Sequence, residues 1–275
     1  MYRTILVCFD TPERIDRLLG VALPLAASHG AHLVGLHVTP SVLADLATEI
    51  SVEYLEATRK SLRETAAAVR SAFEKRAAVS DVSTEWRVEE PTSPDFAKAV
   101  TRHALCADLV VVAQSHASEW HGGGLVTDVL FETGRPILFV PREGCFSTIG
   151  KRPVVAWNGT RESARAAFDA IPLISGAEKV CVLAIDPHRG SGSEGLAPAD
   201  DLATALARHG LPVEASVTYS GDISVGDTLL SYLADAGADL LVMGCYGHSR
   251  IREMLFGGVT RQILREMTAP VLMSR

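Results

Sequence analysis

Ala238-Asp239-Leu240-Leu241-Val242-Met243-Gly244 is a short apolar run entered through an acidic residue and left through a glycine. A closely similar run, Ala107-Asp108-Leu109-Val110-Val111-Val112-Ala113, stands 131 positions earlier. Short runs of consecutive apolar residues between turn formers read as strands buried on both faces. Downstream, Gly123-Gly124-Leu125 matches Gly257-Gly258-Val259, and Pro136-Ile137-Leu138 matches Pro270-Val271-Leu272. These later matches are 134 positions apart, so the first copy is three residues shorter in between. Upstream, Ile5-Leu6-Val7-Cys8-Phe9-Asp10 resembles Pro153-Val154-Val155-Ala156-Trp157-Asn158. Similar segments that recur in the same order mark an internal duplication. The chain of 275 residues therefore reads as two domains, 1–142 and 152–275. The join from Pro141 to Arg152 holds Gly144, Ser147, Thr148 and Gly150 and reads as a linker.

Each unit alternates strand and helix patterns. In the second, apolar or alternating runs predict strands over 153–157, 179–185, 213–219, 240–243 and 271–273. Between them, helical spacing predicts helices over 160–174, 198–209, 225–236 and 259–267. The first unit repeats the order with a longer helix around 52–75, whose apolar stripe is Leu55, Leu62, Ala66, Val69 and Phe73. Alternation of this kind implies an α/β fold with a parallel sheet, right-handed crossovers and helices on both faces. Ligands of such sheets bind beyond the carboxyl ends of the strands, where the strand order reverses.

Composition narrows the partners. With 26 basic and 33 acidic residues the formal net charge is −7. That argues against general nucleic-acid binding, which needs clustered Lys and Arg on phosphates, and against an anionic membrane surface. Trp86, Trp120 and Trp157 are not interleaved with basic residues as single-strand binding would require. No run approaches the ~18 apolar residues of a membrane helix. The start, Met1-Tyr2-Arg3-Thr4-Ile5, runs straight into a strand pattern without the regions of a signal peptide. Cys8, Cys106, Cys145, Cys181 and Cys245 are odd in number and lack a CxxC pair. Free thiols in a reducing, cytoplasmic setting are expected.

The most informative segment is Gly244-Cys245-Tyr246-Gly247-His248-Ser249, followed by Arg250–Phe256 and Gly257-Gly258-Val259-Thr260. Its form is G-x2-G-x9-G-G-V-T, beginning at a strand end and closing on a helix start. Glycines let the backbone approach a ligand closely, and a helix start offers unpaired N–H donors and partial positive charge. Together they suit a phosphate. The alternative is a glycine turn at a strand end followed by an ordinary helix cap.

Gly244-x2-Gly247-x9-Gly257, the small residue beside it and Val259, before a last helix and strand, resemble the nucleotide-binding signature of the universal stress protein family. Ala238–Gly244 and Ala269-Pro270-Val271-Leu272 fit the same pattern, and the likeness covers both units. The resemblance implies two tandem five-stranded, Rossmann-like parallel domains of strand order 3-2-1-4-5. It also implies pairing of the units inside one chain through their last strands, Ile137–Val140 and Val271–Met273. A homodimer of whole chains is compatible with it. The implied ligand is ATP or a related adenine nucleotide, with or without Mg²⁺. The phosphate-binding glycines fall on Gly244, Gly247 and Gly257, with His248 in the loop and Gly258 where the family has a hydroxyl residue. Val259 and Thr260 supply the first helical turn, and a backbone contact to adenine falls near Ile185. The acidic residue that ends the first strand of the family is replaced by Asn158, whose amide still hydrogen-bonds but lacks an ionic acceptor.

The first unit departs further. Ala113 and His116 stand in place of the first two glycines and the loop is short, although Gly123, Gly124 and Asp10 remain. A degenerate nucleotide site is expected there. Other candidates are thinner. His116 and His121 flank Glu119 without a third clear metal ligand, and Gly190-Ser191-Gly192-Ser193 lacks the Gly-Lys-Ser/Thr that would make it a P-loop. Arg250 and Arg252 either approach phosphate or are solvated, and Cys245 is either a redox thiol activated near the helix start or an inert small side chain. No GxSxG, HExxH or acid–base pair occurs, so no catalytic residue is assigned and any ATP hydrolysis would be slow. The expected function is a cytosolic stress-response regulator that binds an adenine nucleotide in its C-terminal domain. The rivals are a nucleotide-free scaffold and an enzyme acting on an adenylated substrate.

Overall fold

The structure is a computed structural model, and it describes residues 1–40, 51–90, 96–114, 129–130, 132–187, 198–245 and 258–275. The described chain forms two compact units. One holds Tyr2–Ala113, and the other holds Pro136–Arg275 together with Gln114.

In the first unit the strands are β1 (Thr4–Phe9), β2 (His32–Val38), β3 (Thr84–Glu89) and β4 (Leu109–Ala113). They lie in the order β3-β2-β1-β4, all parallel. The helices are α1 (Ile15–His29), α2 (Val52–Ala77) and α3 (Phe96–Ala104). The α2 helix starts where the Ser51 side chain accepts from the Tyr54 N–H, an N-cap that satisfies one orphan donor. Its expected stripe is buried only toward the C-terminal end, at Val69 and Phe73, while Leu55, Leu62 and Ala66 are half-buried. Phe73 packs on Phe9 and Trp86, with ring centroids 5.7 and 5.0 Å away.

In the second unit the strands are β5 (Ile137–Val140), β6 (Pro153–Trp157), β7 (Val180–Ile185), β8 (Val213–Thr218), β9 (Leu240–Gly244) and β10 (Val271–Ser274). Their order is β8-β7-β6-β9-β10-β5. The first five are parallel and follow the 3-2-1-4-5 order. The edge strand β5 runs antiparallel to β10, with Phe139 opposite Val271 and Ile137 opposite Met273. The helices are α4 (Arg161–Asp169), α5 (Ile171–Ile174), α6 (Ala199–Ala207), α7 (Val225–Asp235) and α8 (Gly258–Glu266). The single helix expected over 160–174 is broken at Ala170, because Pro172 opens α5 and cannot continue the α4 hydrogen-bond ladder.

Both sheets are entered in the same way. The Asp108 carboxylate accepts from the backbone N–H groups of Arg3 and Thr4, at 2.6 and 2.9 Å. The Asp239 carboxylate accepts from Lys151 and Arg152, at 2.7 and 2.8 Å. The acidic residue that precedes each apolar run therefore fixes the start of the neighbouring central strand. The core is the apolar strand residues themselves, with Ile5, Leu33, Leu109, Leu240 and Val271 at zero exposure.

Candidate functional site

The strand order of the second unit reverses at β6, because β7 lies on one side and β9 on the other. Trp157 pairs with Ala184 and Ala156 with Met243. Asn158 therefore follows β6 level with Ile185 at the end of β7, and Gly244 ends β9 level with Trp157, on adjacent strands about 4.8 Å apart. This is the crevice in which doubly wound folds hold ligands. The crossover from β9 to β10 is made by α8, which runs back against the strands, so its N-terminus opens at the same edge of the sheet.

Asn158 is exposed, and its Oδ1 accepts from the Thr160 hydroxyl at 2.9 Å and the Thr160 N–H at 3.3 Å. Between them Gly159 takes a φ of +72°, the left-handed region that lets the strand turn sharply into α4. Thr160 then caps α4, its hydroxyl accepting from the Ser163 N–H at 3.3 Å. Ile185 is half-buried at the end of β7. The next residue, Asp186, adopts φ +47° and directs its carboxylate to Ser220, accepting from that residue's N–H and hydroxyl at 3.1 and 2.5 Å. Because Ser220 follows β8, this carboxylate ties down the outer rim and does not replace the acid missing at Asn158.

Gly244 is a close-approach glycine. A Cβ there would lie 2.4 Å from both the Glu162 carbonyl carbon and the Ser163 nitrogen. Glu162 itself is buried at 3 % exposure and receives a hydrogen bond from Arg161 Nε at 2.5 Å. Burial pushes its carboxyl up, but the Arg161 guanidinium, its own N–H and the Thr160 hydroxyl outweigh that and hold it below the ordinary 4.5. Cys245 is fully buried, and its thiol donates to the Ser274 carbonyl at 3.3 Å. Burial first, and the Glu162 charge with it, push that thiol to about 12. An activated redox thiol at Cys245 is thereby overturned, since a thiolate is disfavoured in this apolar slot.

At the start of α8, Gly258 is exposed with open space where a side chain would be, and Val259 is half-buried. The N–H groups of a helix's first turn lack intrahelical acceptors and suit a phosphate oxygen. Thr260 is buried at 5 % exposure, so it offers a ligand its backbone and not its side chain. Gly247, His248 and Gly257 lie outside the described residues, as do Arg250, Arg252, His116, Glu119, His121 and the 190–193 segment. Among the described residues no group of three His, Cys, Asp or Glu is placed to hold a metal. No described helix is long and apolar enough to cross a membrane.

Two glutamines that the repeat pattern does not flag hold α8. Gln262 donates to Asp227 Oδ1 at 2.7 Å and accepts from Ser224 Oγ at 3.1 Å, tying α8 to the N-terminus of α7. Gln114 donates to the carbonyls of Leu264 and Arg265, at 3.0 Å each. In the first unit the Asp10 carboxylate, equivalent to Asn158, is taken by Arg14 and by the Thr11 N–H. A recess of about 600 Å³ lies on α2, lined by Glu56, Arg59, Lys60, Arg63, Glu64 and Ala67, and involves no strand end.

The chain matches the sequence profile of the Universal stress protein family over residues 1–130 and 154–275. The chain belongs to the universal stress protein family. A universal stress protein of Synechocystis, Slr1230, is 45 % identical over 49 residues, which are 18 % of this chain and 17 % of that protein. A universal stress protein from Archaeoglobus fulgidus has a similar fold, with a TM-score of 0.69 and 13 % identity over 99 % of this chain and 96 % of that one. A putative universal stress protein from Pseudomonas aeruginosa gives a TM-score of 0.53 and 14 % identity, over 99 % of this chain and 93 % of that one.

Proposed function

We propose that this universal stress protein binds an adenine nucleotide in its second domain, residues 152–275, and acts as a regulator whose partner contacts change with occupancy. One observation supports the proposal: Asn158, Ile185 and Gly244 stand at the ends of adjacent strands where the strand order reverses, and the crossover helix α8 begins at that edge of the sheet. The nucleoside would lie against Asn158 and the Ile185 backbone, and the phosphates against the N–H groups from Gly258 onward, with Gly247, His248 and Gly257 in the connecting loop. ATP, with or without Mg²⁺, is the proposed ligand. The first domain, residues 1–142, would not share it, because Ala113 and His116 replace the first two glycines and the loop is three residues short. Pairing of the repeats through their last strands, and a cytoplasmic location, belong to the same proposal. Universal stress proteins matching about half of this chain at 17 % and 20 % identity include one in complex with dAMP and one with cAMP, ligands of those proteins.

Mass spectrometry of small molecules released from the purified chain, followed by calorimetric titration with ATP, ADP and AMP, tests this. Saturable binding that is abolished by Gly247→Glu is the expected result. No release, no heat and no effect of Gly247→Glu would sink it.

A second proposal is a nucleotide-free scaffold acting through its surfaces. The commitment of Asn158 Oδ1 to Thr160 favours it, as does Gly258 in place of a hydroxyl residue. Thermal-shift titration separates the two, since a ligand at ~100 times its Kd adds roughly 2.7 kcal/mol of stability.

A further inference from the structure

We propose that Gln114 is a positioning residue for α8 and thereby sets how tightly the second unit holds its nucleotide, an inference that rests on nucleotide binding by that unit. Gln114 is buried at 4 % exposure and every polar group of its amide is used. Nε2 donates to the Leu264 and Arg265 carbonyls at 3.0 Å each, and Oε1 accepts from the Arg142 N–H at 2.9 Å. The last carbonyls of a helix have no partner within it, and this one side chain takes up two of them at the C-terminus of α8.

Comparison of the repeats separates this task from strand pairing. By the 131-residue offset Gln114 corresponds to Cys245. The Gln114 N–H donates to the Val140 carbonyl at 2.7 Å, and the Cys245 N–H donates to the equivalent Ser274 carbonyl at 3.1 Å. Both repeats therefore make the same backbone bond. Only the side chains differ: the Cys245 thiol turns back to Ser274, whereas the Gln114 amide reaches α8. A buried amide is unnecessary for the shared bond, which Cys245 makes without one.

The α8 helix is nine residues long, or about 13 Å at 1.5 Å per residue, short enough to move as a rigid rod. Gln262 holds its middle to α7 and Gln114 holds its C-terminal end. Phosphate binding by backbone N–H groups depends on their being held in place beforehand. Releasing the C-terminal anchor lets the rod tilt about Gln262 and moves the N–H groups at the other end.

The test replaces the amide without changing its size. Gln114→Met keeps the volume and removes both donors, and Gln114→Glu keeps the acceptor for Arg142 but turns an oxygen toward two carbonyls. Calorimetric titration with ATP should show Kd weakened roughly five- to tenfold, the loss of one or two hydrogen bonds. Hydrogen exchange should quicken in 262–267, the amides of α8 that carry intrahelical bonds, while β6, β7 and β9 keep their protection. If Gln114→Met fails to fold, Gln114→Glu carries both measurements. Unchanged exchange at 262–267 overturns the proposal, and so does an unchanged Kd in a chain that binds ATP. If the wild-type chain binds no adenine nucleotide, the functional reading fails on its own, and exchange at 262–267 still decides whether Gln114 positions α8.

Discussion

The α-carbon of Gly244 lies so close to the backbone of Glu162 that a Cβ on Gly244 would sit 2.4 Å from the Glu162 carbonyl carbon. The last residue of β9 and the first turn of α4 therefore touch backbone to backbone. This contact brings α4 down beside the strand ends and buries the Glu162 carboxylate within the second unit. In the sequence Gly244 looks like the first member of a ligand loop, and in the fold it is first a packing glycine.

Gly244→Ala should therefore destabilise the second unit whether or not a ligand is present. Overpacking of a rigid backbone contact costs about 1–3 kcal/mol. Gly258→Ala meets nothing within 4 Å and should leave stability within about 0.5 kcal/mol. Denaturant unfolding of the two variants checks this, and equal midpoints would refute the packing role of Gly244.

Asp108 and Asp239 should behave as a matched pair. Each carboxylate receives two backbone N–H groups at the start of a central strand, at 2.6 to 2.9 Å. Removing one by Asp→Ala strands both donors, and each change should cost about 1–3 kcal/mol. The predicted signature is that Asp239→Ala quickens hydrogen exchange in 153–157 and leaves 4–9 unchanged, with the converse for Asp108→Ala.

The duplication makes most of this fold legible in the sequence. Asp239 and Asp108 stand out because they recur at one offset, and the structure gives both the same two hydrogen bonds. The strand ends of the candidate site were equally visible, because a run such as Leu240–Met243 followed by Gly244 announces where a buried strand stops. The break at Ala170 is not legible in the same way, because helical spacing runs through Pro172, which sits where a new helix can begin. Gln114 and Gln262 were invisible for another reason. Their roles depend on residues distant in the chain, Gln114 on Leu264 and Gln262 on Asp227. No periodicity encodes contacts of that kind.

Thiol labelling should divide the cysteines by burial. Cys106 and Cys145 are exposed, whereas Cys181 and Cys245 are buried. Cys8 and Cys245 are both pushed to about 12, primarily by burial. Iodoacetamide at pH 8 should modify Cys106 and Cys145 in the folded chain and reach Cys8, Cys181 and Cys245 only after unfolding. Peptide mapping by mass spectrometry reads the result, and early modification of Cys245 would restore it as a reactive thiol.

Stability should fall in two stages as pH drops. Burial lowers His37, whose Nδ1–H donates to the Phe9 carbonyl at 2.9 Å. Burial also lowers His29, with the N-terminal charge adding to it, and His103, with Arg87 and Arg102 adding. Between these lowered values and the ordinary 6.5, the unfolded chain binds more protons than the folded one, so stability rises with pH there. Their contribution is complete above 6.5 and is lost as pH falls below it. Glu162 is depressed below 4.5, so its contribution is present above 4.5 and is lost at still lower pH. Urea midpoints from pH 8 to pH 4 should decline first below about 6.5. His37→Gln should flatten that first decline, and an unchanged slope would exclude His37 as a source.

Restoring the family's acid at Asn158 gives the sharpest single-residue test of the site. Asn158 Oδ1 accepts from the Thr160 hydroxyl and N–H, and an aspartate can accept both through one oxygen while keeping its second free for a ligand hydroxyl. Hydrogen bonds to a charged acceptor are about twice as strong as neutral ones. Asn158→Asp should therefore tighten adenosine and ATP binding by roughly three- to tenfold, and Asn158→Leu should weaken it. The gain should vanish with a ligand that lacks the ribose hydroxyls, because the proposed placement sets the phosphates against α8 and only the ribose against this carboxylate. Titration with ATP and with 2′,3′-dideoxy-ATP separates these cases. An equal gain for both ligands would place the ribose elsewhere, and no gain for either would move the nucleoside away from the end of β6.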